Sequence, residues 1–193
     1  MPERSENDST TAPRRAAIHG LAPRITTYAH LETASGNDGA QPLTAPLAGD
    51  LVVAYVTDTS EGRRLVARDD LSELGIAADE LLDRALANLT DDLSEIQLGE
   101  HSHLMMVQTG GELEACTLLL EGLWDQLTAQ MEGEVAVGVP SADMVLIGDT
   151  ASPAALDELR RAVPKLHNPE ASNALSPQLF VWRDRRWCQL EPA

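Results

Sequence analysis

Four side chains have the types and spacing to do chemistry. Glu114, in Glu112-x-Glu114, and Asp143, at the end of Val139-Pro140-Ser141-Ala142-Asp143, are carboxylates that a sheet could bring together at one end. A pair of acids so placed can pass a proton or hold a cation. His101 and His103, in Glu100-His101-Ser102-His103, are alternate residues. On a strand, alternation points both imidazoles to one face, as two ligands of a metal would need. Each group also has a plainer reading. Pro140 and Asp143 are good turn formers, Glu112 and Glu114 mark the wet face of a strand, and the two histidines lack a third fixed ligand nearby, so they read first as a solvated strand start.

The other reactive types are weaker still. Cys116 falls where a strand gives way to a helix, a place that can lower a thiol pKa, but no histidine lies near it in sequence and a small buried residue is the simpler expectation. Ser141 and Ser152 have no nucleophile-elbow context. Gly110-Gly111 lacks the further glycines and the Lys-Ser or Lys-Thr of a phosphate loop. Trp182 and Trp187 alternate with Arg183, Arg185 and Arg186, a pattern that can stack on an anion or polynucleotide but fits a sheet edge with a charged turn.

Composition sets bounds around these groups. The 193 residues suffice for one hydrophobic core. With aromatics at 3% of the chain, that core must be built from aliphatic side chains. A formal charge of -17, with Lys165 the single lysine, repels phosphate backbones and anionic membranes, so nucleic acid and membrane are excluded as expected partners. Cys116 and Cys188 fit neither a disulfide framework nor a zinc site, no cofactor motif is present, and no secretory signal or spanning segment is evident. The expected location is the cytoplasm.

The elements that must position the candidate residues follow from periodicity. Residues 1–17 read as a disordered tail, 18–50 as an irregular arm and loop, and 51–193 as a single domain. Three strand-strand-helix units are predicted: strands at 51–57 and 64–68 before a helix at 79–89; strands at 103–109 and 112–116 about the Gly110-Gly111 turn before a helix ending at Gly133, with Leu119, Leu123, Leu127 and Met131 along its stripe; strands at 134–139 and 143–148 before a helix from Ser152-Pro153 to about Val163. A last hairpin joins 178–182 to 187–190. Short turns cannot make parallel crossovers, so the expected class is α+β, with a mostly antiparallel sheet and helices packed on one face.

The run Gly-Gly-Glu-Leu-Glu-Ala-Cys-Thr-Leu-Leu-Leu at 110–120 with Trp124, then Val-Ala-Val-Gly-Val-Pro-Ser-Ala-Asp-Met-Val-Leu at 135–146 and Asp149, resembles the YtpQ-like family of bacterial proteins. The opening strand at 51–58, the leucine-rich stretch 71–89 and the closing Leu179-Phe180-Val181-Trp182 with Trp187 fit it too, so the likeness covers roughly residues 45–190. Many members of that family carry a longer N-terminal region. The resemblance implies a fold and an uncharacterised function, with no residue role to carry over.

Charge and the lack of a complete motif then favour a non-catalytic interaction domain whose acidic surface meets a basic protein, as an inhibitor, immunity-type or adaptor protein would. The exposed acids just past the first helix, Asp91, Asp92 and Glu95, are the expected contact residues. The alternative is a small hydrolase or metal-dependent enzyme using Glu114, Asp143 and the two histidines. Deleting residues 1–17 is expected to leave the melting temperature unchanged; a fall of more than about 4 °C in a thermal melt, on the order of 1 kcal/mol for this size, would show the tail to be docked.

Overall fold

Alternation of side chains along the strands decides the layering. In a computed structural model that describes residues 20–34, 41–60, 62–93, 95–111 and 113–191, strand β3 (Leu51–Thr59) sends Leu51, Val53 and Tyr55 into the main core and Val52 and Ala54 to the opposite face. It pairs antiparallel with β1 (Ala22–Thr27) along one edge and with both β2 (Thr44–Ala48) and β4 (Gly62–Leu65) along the other, making a four-stranded sheet. A short helix α1 (Tyr28–Ala34) covers the outer face by packing Leu31 on Val52, Ala54 and Leu65.

The remaining strands, β5 (Gln97–His101), β6 (Leu104–Gln108), β7 (Val135–Ser141), β8 (Met144–Asp149), β9 (Leu179–Arg183) and β10 (Arg186–Gln189), form a six-stranded antiparallel sheet in the order β10-β9-β7-β8-β6-β5. Its inner face contributes Val135, Val137, Val139 and Phe180 to the same core as Leu51 and Val53. Between the sheets lie α2 (Asp70–Leu74), α3 (Leu81–Asp92), the 3-10 turn Ala115–Leu119 and α4 (Glu121–Thr128). The outer face is covered by α5 (Pro153–Leu166), whose Ala155, Leu159 and Val163 rest on Ala136 and Leu146. The chain is therefore α+β with antiparallel sheets, as the pattern predicts, and the strands divide into two sheets around a shared core.

Several elements differ from the sequence reading. The segment read as an irregular arm and loop contains β1, α1 and β2, because Leu21 and Ile25 are needed in the core and both edges of β3 over Leu51–Ala54 would otherwise lack partners. The expected Gly-Gly hairpin does not form: β6 pairs with the preceding β5, and the chain beyond Gly111 turns inward to bury Ala115, Cys116 and Leu118. The middle helix is correspondingly shorter, and it buries Trp124 and Leu127 while Leu119, Leu123 and Met131 are half-buried. Asp69 precedes α2 and Glu80 precedes α3, neither with a side-chain cap bond, whereas Ser152 Oγ accepts from the Ala155 N–H at 3.3 Å. Pro164 lies inside the last turn of α5 and the helix runs on to Leu166. The tail 1–17 and Glu112 lie outside the described residues.

Two local features control how these layers meet. Gly138 on β7 sits directly under α5, where a Cβ would collide with the Val163 side chain; Gly148 on β8 also faces α5 but less tightly, with the Leu159 Cδ1 3.0 Å from a Cβ position. Asp70 joins β4 to α2: its carboxylate accepts from both Arg64 guanidinium NH groups at 2.7 and 2.8 Å and from the Ala67 N–H at 2.7 Å. The Arg64 hydrogen bond holds the Asp70 carboxyl below its ordinary pKa.

Gly138→Ala is expected to cost about 1–3 kcal/mol by overpacking, read as a lower urea midpoint; a midpoint equal to wild type would mean that α5 is not seated on β7. An acid whose pKa is lowered by folding stabilises the native state above its unfolded value and loses that contribution as pH falls through the folded one. Asp70→Asn is therefore expected to be less stable than wild type at pH 7, and the difference should narrow below about pH 4. A gap that stays constant on acidification would contradict the ion-pair origin.

Candidate functional site

Backbone hydrogen bonding brings the two candidate carboxylates into one neighbourhood, and their side chains then diverge. The Ala115 N–H donates to the Ala142 C=O at 3.0 Å, and the Ala142 N–H to Asn173 C=O at 2.8 Å, so the segments bearing Glu114 and Asp143 run side by side. Glu114 is 5% exposed. Its Oε1 accepts from the N–H groups of Thr109 (3.1 Å) and Gly111 (3.2 Å), stapling the turn that follows β6, while Oε2 is buried without a partner among the described residues. Glu114 is thus inside the protein, not on the wet face of a strand. Asp143 is exposed in the β7–β8 turn and accepts through Oδ1 from Ser141 Oγ at 2.6 Å and Asn173 Nδ2 at 3.1 Å. One acid organises a loop and the other organises a turn.

His101 and His103 are both exposed where β5 turns into β6, and the His103 N–H donates to the Glu158 carboxylate of α5 at 3.3 Å. Among the described residues no three metal-binding side chains come together. Asp91 and Asp92 are exposed in the last turn of α3, and Glu95 is exposed just beyond it. Asp91 and Asp92 thus belong to α3, whereas Asp143 belongs to the β7–β8 turn of the six-stranded sheet.

A cleft of about 340 Å³ does open between the sheets. It runs along the free edge of β1, with Asp143 and Asn173 on one wall and Arg24 and Arg63 on the other. Its floor includes Cys116, whose thiol donates to the Pro23 C=O at 3.5 Å. Burial pushes that thiol above its ordinary pKa, and hydrogen bonding from Ile25 and the charge of Arg24 work against the shift. The thiol is held as a packed, protonated group, in keeping with the simpler expectation for it. Glu114 does not line the cleft.

Sequence reasoning passed over Arg24 and Arg63. Arg24 lies in the segment read as an irregular arm and Arg63 in a hairpin turn, so neither stood in a pattern that implied a wall. The available signal was arithmetic: in a chain with 31 acids and 14 Lys and Arg, any cation not matched to a carboxylate is a position to inspect.

No protein-family model matches the chain, and no solved structure matches it. A UPF0354 protein from Oceanobacillus iheyensis is similar, 26% identical over 143 residues that cover 72% of this chain and 52% of that protein. The chain thus spans about half the length of the relative it matches. This likeness points to an uncharacterised bacterial family; it agrees with the resemblance seen along residues 45–190 at that coarse level and does not extend to the YtpQ-like name.

Proposed function

We propose that the chain is a non-catalytic protein-binding domain that meets a basic protein partner through an acidic face, as an inhibitor, immunity-type or adaptor protein does. The placement of Asp91 and Asp92 carries this reading. They close α3, where the aligned peptide dipoles already present negative charge, and no basic residue occupies that turn. An acid at such a position opposes the helix by about 0.3–1 kcal/mol. Neither makes an ion pair among the described residues. They belong to a longer acidic stretch: residues 69–100 hold ten carboxylates and one cation, Arg84, and all ten except Asp70 are exposed. Charge kept at a cost to its own helix and left uncompensated is available to a partner of opposite sign.

The alternative, a small hydrolase or metal-dependent enzyme, needs Glu114 and Asp143 to share a pocket. Glu114 is engaged with the 109–111 turn and only Asp143 borders the cleft, so the geometry favours the interaction reading.

Asp91→Lys with Asp92→Lys is the discriminating variant. It should raise stability by roughly 0.5–2 kcal/mol through the helix dipole and at the same time slow association with a partner purified from the native cell by at least tenfold at low salt. Association of the wild type should itself slow steeply between about 10 and 150 mM salt, as exposed charges become screened. Glu114→Gln and Asp143→Asn should leave the on-rate unchanged. Salt-independent association, or a turnover that those two variants abolish, would sink the reading and promote the enzyme.

A further inference from the structure

The cation wall of the inter-sheet cleft continues into a second hollow of about 300 Å³ on the outer face of the four-stranded sheet, beside α1. The two hollows share Arg24, Val56, Arg63 and Ser172. The second is lined by three arginines, Arg24, Arg63 and Arg64, together with His30 and three hydroxyl side chains, and among the described lining residues there is no carboxylate. In a chain of formal charge -17 this is the reverse of the surrounding composition. The register explains how the arginines meet. Arg24 stands opposite Ala54 on one side of β3 and Arg63 opposite Asp58 on the other, with Val56 between them on the same face.

The three arginines are not equivalent. Arg64 is held by two bonds to Asp70, and Arg63 has a single 3.1 Å bond to Asp58 with both side chains more than half exposed. Arg24 makes no ion pair among the described residues, and its charge is felt by the Cys116 thiol at the cleft floor. The floor of the second hollow is apolar, formed by Val56, Leu65 and Leu31. A guanidinium with no carboxylate partner offers a planar fork to an oxyanion, and an apolar floor within reach rewards a hydrocarbon or aromatic body on the same molecule.

The geometry points to a binding site for a small organic oxyanion, a carboxylate or phosphate monoester carrying an apolar body, gripped by Arg24 and Arg63 with the body over Val56 and Leu65. This site is separate from the acidic face on α3, so it stands or falls independently of the protein-binding reading.

Titration of the full chain with hexanoate, phenyl phosphate and inorganic phosphate, followed by amide chemical shifts, tests it. At least one of the two organic anions should give saturable shifts on β1 and β4 with a dissociation constant below about 10 mM, and the tighter of the two identifies the head group. Inorganic phosphate should bind at least tenfold more weakly than the preferred organic anion. Arg24→Gln should weaken the organic anion at least tenfold, Arg63→Gln should weaken it as well, and Arg84→Gln, on the acidic helix, should not; melting temperatures of the variants establish that each is folded. Absence of saturable binding for both organic anions, equal affinity in wild type and Arg24→Gln, or loss in Arg84→Gln would overturn the site. Inorganic phosphate binding as tightly as phenyl phosphate and hexanoate would overturn the apolar body.

Discussion

All three tryptophans of the chain gather in one place, and the position of the central connection depends on them. Trp187 packs edge-on against Trp124 with ring centroids 4.9 Å apart and lies against Trp182 at 5.0 Å. Their indole N–H groups are all satisfied. Trp124 donates to the Thr117 C=O at 2.7 Å, Trp187 to the Leu118 C=O at 2.9 Å and Trp182 to Asp125 Oδ1 at 3.0 Å. Two of these acceptors are carbonyls of the short 3-10 turn, which has few internal bonds of its own to satisfy them. The ring cluster thus pins the turn and α4 to β9 and β10, and Arg185 reinforces the attachment from outside through Glu121 and Asp125.

That anchoring fixes what comes just before it in the chain. With Thr117 and Leu118 held, Cys116 and Ala115 must lie along the free edge of β1, and Glu114 must turn back to the 109–111 loop. The part of the cleft wall formed by Ala115 and Cys116 is therefore a consequence of aromatic packing about the β9–β10 hairpin, which is remote from both in sequence. The same dependence explains why this side chain is tolerated at 5% exposure: two backbone N–H groups meet one oxygen, and those hydrogen bonds offset part of the cost of burial.

Charge is segregated on this frame. Ten of the 31 acids fall in residues 69–100, on and around α2 and α3, while three arginines line the hollows on and beside the four-stranded sheet. Arg24 makes no ion pair among the described residues because those beside it on β1 and opposite it on β3 are apolar or hydroxyl-bearing, leaving no carboxylate in the adjacent register positions.

Local order was legible in the residues themselves. Alternation at 51–57, the turn at 140–142, the Ser152-Pro153 start of α5 and the last hairpin all depend on neighbours within a few positions, and each forms close to where it is expected. The α+β class follows from those units, because short turns impose antiparallel pairing. The acidic, weakly aromatic character and the exposure of Asp91, Asp92 and Glu95 were likewise readable. Partnering over distance was not. Whether Leu104–Gln108 pairs with the strand before it or the segment after it turns on which apolar residues the core requires, and periodicity cannot rank the two. The pairing of β1 with β3, the division into two sheets, the burial of Glu114 and the meeting of Arg24 with Arg63 over Val56 join positions tens of residues apart. Only the tertiary structure decides them, since their free energy comes from filling one shared core and not from any preference of the local chain.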